Sequence, residues 1–271
     1  MAIEVFFQDL GKDQRYQKIW DYQESLLQQN VIAKAKAREV PVSSLNPQPL
    51  ADGFLLSVNS QLSTVISPKT TNQPSPPNDQ PPTTNYLLFV QHAPVYTLGK
   101  SGDIGHILIS DVDREEKGIE FFKINRGGDI TFHGPQQLVG YPIIDLENFK
   151  TDLGWYLRSL EEVIILTMAA YGLKGERSKG ETGVWLDPDS KGKERKICAM
   201  GIRCSRWITM HGFAFNVNTN LDYFNYIVPC GIENKQVTSL QSELGYEVPI
   251  DEVKEKVKKN FELVFGVELI G

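Results

Sequence analysis

The chain has 271 residues, 41% of them hydrophobic, and a net charge of −6. This is enough to bury one substantial core without disulfides or a structural metal, and the acidic balance argues against nucleic acid as the general partner, because a phosphate-binding surface shows as a basic excess. The N-terminal "MAIEVFFQDLGKD" lacks a basic segment followed by an apolar run, and no apolar stretch approaches the length of a membrane span, so the sequence predicts a soluble, unprocessed, cytoplasmic protein.

Residues 3 to 8 read as a short strand, and Tyr16, Trp20, Leu27 and Val31 recur at helical spacing within 13 to 37, which predicts an amphipathic helix. From about 40 to 84 Pro, Ser, Thr, Asn and Gln dominate. Repeated prolines deny such a segment regular backbone pairing, so it is expected to be a flexible insertion in a single domain spanning 1 to 271. "NYLLFVQH" then predicts a buried strand, and "GIEFFKINRGGDITFHGPQQLVGYPIIDL" further strands punctuated by glycine. Leu153, Leu157, Leu160, Ile164 and Tyr171 mark a core helix, closed by a left-handed Gly172. "TGVWL", "KICAMGIR" and "GFAFNVN" are strand candidates. Thr238 with Gln241 predicts a capping box for a short helix, and Ile250, Val253, Val257 and Phe261 line one face of a last helix beginning near Asp251. Interleaved strands and helices predict an α/β or α+β domain around one mixed sheet.

Three cysteines, Cys198, Cys204 and Cys230, have neither disulfide nor zinc spacing, so reduced thiols in a cytosol are the simplest account. Cys198 and Cys204 fall in strand-like segments and read as core residues. Cys230, between Pro229 and Gly231 and shortly before a helix start, reads either as a small buried hydrophobe or as a nucleophile. A thiol with a pKa of about 8.5 needs a cation or a helix N-terminus nearby to act near neutrality. His133 and His211 each precede a glycine and could enter a cleft, or be satisfied half-buried residues. No third ligand is placed to make either a zinc site. "NRGGDITFHGP" lacks the spacing of a dinucleotide fingerprint or a P-loop and is either an anion-facing turn or a plain hairpin.

Five ordered segments, "HAPVYTLG" at 92 to 99, "RGGDITFHGPQQLVGYPIIDL" at 126 to 146, "KICAMGIR" at 196 to 203, "MHGFAFNVNTNL" at 210 to 221 and "VPCGI" at 228 to 232, resemble the lipoyl(octanoyl) transferases. The resemblance covers 3 to 38 and 85 to about 260 and leaves the Pro-rich insertion outside. It implies the mixed-sheet fold shared with lipoate and biotin protein ligases. The implied reaction moves an octanoyl group from the thioester of acyl carrier protein to a lysine of a lipoyl domain or glycine-cleavage H protein, with no cofactor and no metal. The family's acyl-thioester cysteine falls on Cys230 and its partner lysine on Lys196, not on the adjacent Arg195. The acyl pocket falls on three segments: Arg126, Gly127, Gly128 and Asp129 with Ile130, Thr131, Phe132 and His133; then Ala199, Met200 and Gly201; then Gly212, Phe213 and Ala214. The family's glycine after "HGP" is replaced by Gln136.

This dyad is chemically sensible. A lysine in a partly dry cleft loses its proton more readily than in water, and beside a thiol it accepts that proton or stabilises the thiolate. Near Cys230, the Met200-Gly201 backbone could supply an oxyanion donor. The alternatives on the same fold are an ATP-dependent lipoate ligase, an amidotransferase acting between lipoyl carriers, and a carrier-binding module without turnover. Against the ligase, "RGGDITFHG" lacks a third glycine and an aspartate after the histidine. Between Lys174 and Arg206 nine basic residues face five acidic ones, a local excess that reads either as a docking surface for acidic carriers or as an ordinary solvated loop.

Overall fold

A computed structural model describes residues 2–38, 83–228 and 236–271 of the chain. The predicted insertion at 40–84 lies almost entirely outside the described residues, as does Cys230.

The elements, in chain order, are β1 (Ile3–Asp9), α1 (Tyr16–Ala37), β2 (Asn85–Val90), β3 (Val95–Leu98), α2 (Asp111–Glu116), β4 (Glu120–Lys123), β5 (Ile130–His133), β6 (Gln137–Ile143), α3 (Leu153–Ala169), β7 (Val184–Leu186), β8 (Arg195–Ser205), β9 (Ile208–Asn216), β10 (Gln236–Val237), α4 (Leu240–Leu244), α5 (Ile250–Phe265) and β11 (Val267–Ile270). The large sheet runs β10-β8-β9-β6-β2-β1-β11, with β7 also paired to β8. It is mixed: β1 is parallel to β2 and β11, and β10 to β8, while the β2–β6–β9–β8 centre is antiparallel. Beside this predicted sheet the chain builds a second, three-stranded one, β4-β3-β5.

Both faces of the large sheet are covered, which is why its central strands are continuously apolar rather than alternating. Leu87, Phe89 and Leu138 face Leu160, Val163 and Ile164 of α3 and Val253, Val257 and Phe261 of α5. Leu88, Val90, Val139 and Met210 face Leu26, Leu27 and Val31 of α1. The small sheet has its own core around Tyr96, Ile130 and Phe132. No helix among the described residues is long and apolar enough to cross a membrane.

The two described ends flanking 39–82 are clamped together. Lys34 Nζ donates to Asp145 Oδ1 at 2.6 Å and to the Arg206 carbonyl at 2.9 Å, and Asp145 Oδ2 accepts from Thr83 Oγ1 at 3.1 Å. Asn30 bonds both the N–H and the carbonyl of Thr84. A charge pair this buried is costly to break from one side, so α1 and the start of β2 are fixed relative to each other whatever joins them.

One expectation shifts by local competition. The short helix α4 is capped one residue later than predicted: Ser239 Oγ accepts from Ser242 N–H at 3.1 Å, and Thr238 Oγ1 instead donates to Glu243 at 2.6 Å. Gly172 does take a left-handed φ of 75°, just past the end of α3. The strand β11 was not anticipated, since "VELI" carries little alternation of its own and gains its place by pairing with β1.

Candidate active site

One cavity of about 480 Å³ lies between the β5 side of the small sheet and the β8–β9 face of the large one. Its closed end holds the buried Tyr16, Tyr141 and His211, and its open side has the exposed Ser101 and Gly180. Of the sequence-predicted pocket residues, Arg126, Gly128, Asp129, Ile130, Thr131, His133, Lys196, Ala199, Met200, Gly201, Gly212, Phe213 and Ala214 line it. Two do not. Phe132 packs beside Ile130 in the small core, stacking on Tyr223, and Gly127 is exposed with its N–H donated to the Ile202 carbonyl at 2.9 Å.

The motif glycines are close-approach sites. A Cβ on Gly201 would stand 2.8 Å from the Gly127 carbonyl oxygen, and one on Gly212 would stand 2.3 Å from that of Gly140. Larger residues would push the Arg126 loop off β8 and split β9 from β6.

Arg126 is buried and donates to the Thr97 carbonyl at 2.7 Å and Thr97 Oγ1 at 3.0 Å. From there a directed chain of hydrogen bonds leads through the interior to the strand that carries Lys196. The Thr97 hydroxyl reaches His133 Nε2 at 3.4 Å, and His133 Nδ1 donates to Gln137 Oε1 at 2.9 Å. Gln137 Nε2 donates to Asn216 Oδ1, and Asn216 Nδ2 to the Thr238 carbonyl, both at 2.9 Å. Thr238 N–H closes on the Lys196 carbonyl. The chain therefore ties the arginine loop to the strand that carries Lys196. On its other side, Lys196 Nζ lies 4.5 Å from the centroid of the Trp185 ring, an attraction worth about 0.5–2 kcal/mol.

Gln136 has a left-handed φ of 61°, a conformation costing a non-glycine residue on the order of 1 kcal/mol. Its side chain offsets part of that, since Oε1 accepts from Asn218 Nδ2 at 3.0 Å.

Three imidazoles are held neutral by burial. His92 donates from Nδ1 to the Gln14 carbonyl and accepts at Nε2 from the Tyr141 hydroxyl at 2.8 Å. Burial lowers its pKa to about 4 and that of His211 to about 3, while burial and the neighbouring His92 and Arg126 push His133 down as well. Burial raises the phenols of Tyr16 and Tyr141. In the unfolded chain these imidazoles protonate near 6.5. Folded-state values below that mean the stability they confer is complete above about pH 6.5 and is lost as pH falls toward the folded values. At about 1.4 kcal/mol per pKa unit, acidification to pH 4.5 is expected to cost several kcal/mol. The melting temperature should fall steeply between pH 6.5 and 4.5; an unchanged melting temperature over that interval would contradict the burial account.

Sequence reasoning missed His106, Glu181, Thr182 and the two tyrosines of the closed end, all of which line the cavity. Tyr141 had a signal in its position beside the glycine of "GYP". Tyr16 reaches the site from α1, about a hundred residues away in sequence, and no local pattern announces it. Among the described residues no three His, Cys, Asp or Glu side chains are grouped as metal ligands.

The segment 229–235, which contains Cys230, lies outside the described residues. Its described neighbours are nonetheless fixed on this cavity. On one side Val228 N–H donates to the His106 carbonyl at 2.8 Å. On the other, Gln236 and Val237 pair in parallel with Arg195 and Lys196.

Residues 76–262 match the family model of the lipoyl protein ligase A/B catalytic domain. The chain is 49% identical over 271 residues to the octanoyltransferase of Christiangramia forsetii, with 99% of each chain covered, and 50% identical over 268 residues to that of Flavobacterium psychrophilum, with 98% of each covered. In fold it is similar to a bipartite lipoate protein ligase from Thermoplasma acidophilum, with a TM-score of 0.59 and 14% identity over 99% of this chain and 86% of that one. The architecture, the glycine contacts that shape its cavity and the full-length kinship converge: the chain belongs to the lipoyl protein ligase A/B catalytic domain family, among its octanoyltransferases.

Proposed function

We propose that this acyltransferase moves an octanoyl group from the thioester of acyl carrier protein onto Cys230, and from Cys230 to a lysine of a lipoyl domain or glycine-cleavage H protein, in the cytosol. The observation that carries the thioester route is the anchoring of the Cys230 segment at both ends on one cavity, with His106 beside one end and Lys196 beside the other. With a thiol brought between them, Lys196 as an ammonium over Trp185 supplies the charge that favours a thiolate. The thiolate attacks the donor thioester, the carrier thiolate leaves, and Lys196 gives it a proton. The octanoyl tail fits a cavity walled by Ile130, Ala199, Met200, Phe213 and Ala214. The oxyanion donor in this reading is the Met200 N–H: the Met200 carbonyl accepts from Thr182 Oγ1 and that of Ile202 from Gly127 N–H, so the pleat of β8 directs the Met200 N–H toward that same side and away from β9.

A ligase on this fold would need ATP. Single-turnover transfer from octanoyl carrier protein to an apo lipoyl domain, with nucleotide removed by apyrase, is expected to proceed at full rate; a strict ATP requirement would favour the ligase reading.

For the donor, the basic stretch from Lys174 to Arg206 supplies the docking charge. Several of its basic residues are already paired: Arg195 with Glu243 and Asp187, Arg177 with Glu161 and Glu162, Lys174 with Glu176. Lys191 and Lys193 remain exposed beside them. Lys191→Glu with Lys193→Glu is expected to raise the apparent KM for octanoyl carrier protein several-fold and to flatten its salt dependence, because exposed charges are screened as the Debye length contracts from about 10 Å at 0.1 M to about 3 Å at 1 M. Acylation by a small octanoyl thioester should not change; an equal response from both donors would remove the docking role.

A further inference from the structure

An acceptor lysine arrives at the acyl-enzyme as an ammonium with three N–H hydrogens, and the amide product keeps one. Two protons therefore leave the nitrogen as the C–N bond forms and the C–S bond breaks. Neutral Lys196, which gave its proton to the departing carrier thiolate, takes up one and restores the resting pair with the freed Cys230 sulfur. The other must pass out of the cavity to solvent.

We infer that His106, held by Asp129, is the base that takes this proton from the incoming ammonium and releases it to water; the inference rests on the thioester route proposed above. His106 closes the 3₁₀ turn Ile104–His106, and its ring lines the same cavity as Lys196 while its side chain is 29% exposed. It thus touches both the reaction space and solvent. The other three histidines of the chain, His92, His133 and His211, are buried.

The tautomer is set by its partner. His106 Nδ1 lies 2.5 Å from Asp129 Oδ2, and a carboxylate only accepts, so Nδ1 carries the hydrogen and Nε2 is left as the basic nitrogen. Asp129 Oδ1 is itself fixed by the Asp103 N–H at 3.2 Å. A carboxylate behind the ring also offsets the charge of the imidazolium that forms, as in other base–carboxylate pairs. Around the ring, the charged groups are Asp129 and Asp103 behind it and Arg126, Glu181 and Lys196 lining the cavity.

The backbone of His106 is as firmly placed. Its carbonyl accepts from Val228 N–H, Leu108 N–H donates to the Tyr226 carbonyl, and Ile107 bridges Ile227. Val228, the last described residue before the Cys230 segment, is thereby held directly on the His106 backbone.

The experiment is a single-turnover comparison of wild type and His106→Gln, each first loaded with octanoyl from carrier protein and then given an apo lipoyl domain or hydroxylamine. Hydroxylamine is neutral at pH 7 and forms its hydroxamate without net proton release. The variant is expected to load normally, to react with hydroxylamine at the wild-type rate, and to transfer to the lipoyl domain at pH 7 about 10²-fold more slowly, with the deficit closing as pH rises. Equal rates toward the lipoyl domain would overturn the inference, and so would a variant slowed equally in loading and with both acceptors, which is the mark of a structural role. If wild-type protein forms no octanoyl adduct on Cys230, the thioester route fails instead, separately from the role of His106.

Discussion

Cys230→Ala is expected to abolish octanoyl transfer from carrier protein, whereas Cys198→Ala and Cys204→Ala are expected to keep most of it. A thioester route requires a sulfur that can ionise, and burial works against the other two. Cys198 is fully buried in β8 against the α3–α5 core, and burial raises its thiol well above the ordinary range. Cys204 is half-buried and raised for the same reason. Neither lines the cavity. Losing the nucleophile removes the covalent step itself, so the drop should reach the background of uncatalysed aminolysis. Replacing Cys198 leaves a small void, with a cost to stability of about 1 kcal/mol. Rates under single-turnover conditions with an apo lipoyl domain decide the matter, and full activity in Cys230→Ala would refute the covalent route.

The second large effect is expected at Lys196. Lys196→Arg keeps a cation over Trp185 but removes the ability to gain and lose a proton, because guanidinium stays charged throughout the accessible pH range. Thiolate stabilisation should survive in part, and the first half-reaction with it. Aminolysis should fall by about 10²-fold or more, since the general base for the second proton is gone. Unlike His106→Gln, this variant should remain slow toward hydroxylamine as well. Quenched-flow measurement of loading and discharge separates the two steps; discharge at the wild-type rate would refute the proton-transfer role.

Much of this was legible before any coordinates, for identifiable reasons. The helices α3 and α5 announce themselves by apolar spacing, and Val253, Val257 and Phe261 are indeed buried. The continuous apolar run of β2 reads correctly as a strand covered on both faces. The motif glycines were legible as special, but their reason was not: Gly201 and Gly212 are bare because a carbonyl of the Arg126 loop and one of β6 stand where a Cβ would, which depends on tertiary approach. The motif assigns Phe132 to the pocket, and its packing on Tyr223 and Phe224 holds it in the small core instead. His106 stayed hidden because a lone histidine in a loop carries no pattern. Its meaning comes from Asp129, brought to it across 23 residues of sequence.

The most direct test of the account is intact and peptide-level mass measurement of the wild-type protein incubated with octanoyl carrier protein in the absence of ATP and acceptor. The account predicts one octanoyl group, labile to neutral hydroxylamine, mapped to the peptide containing Cys230 and absent from Cys230→Ala. Unmodified protein that nonetheless transfers octanoyl to a lipoyl domain, or an adduct mapped to any other residue, would contradict it.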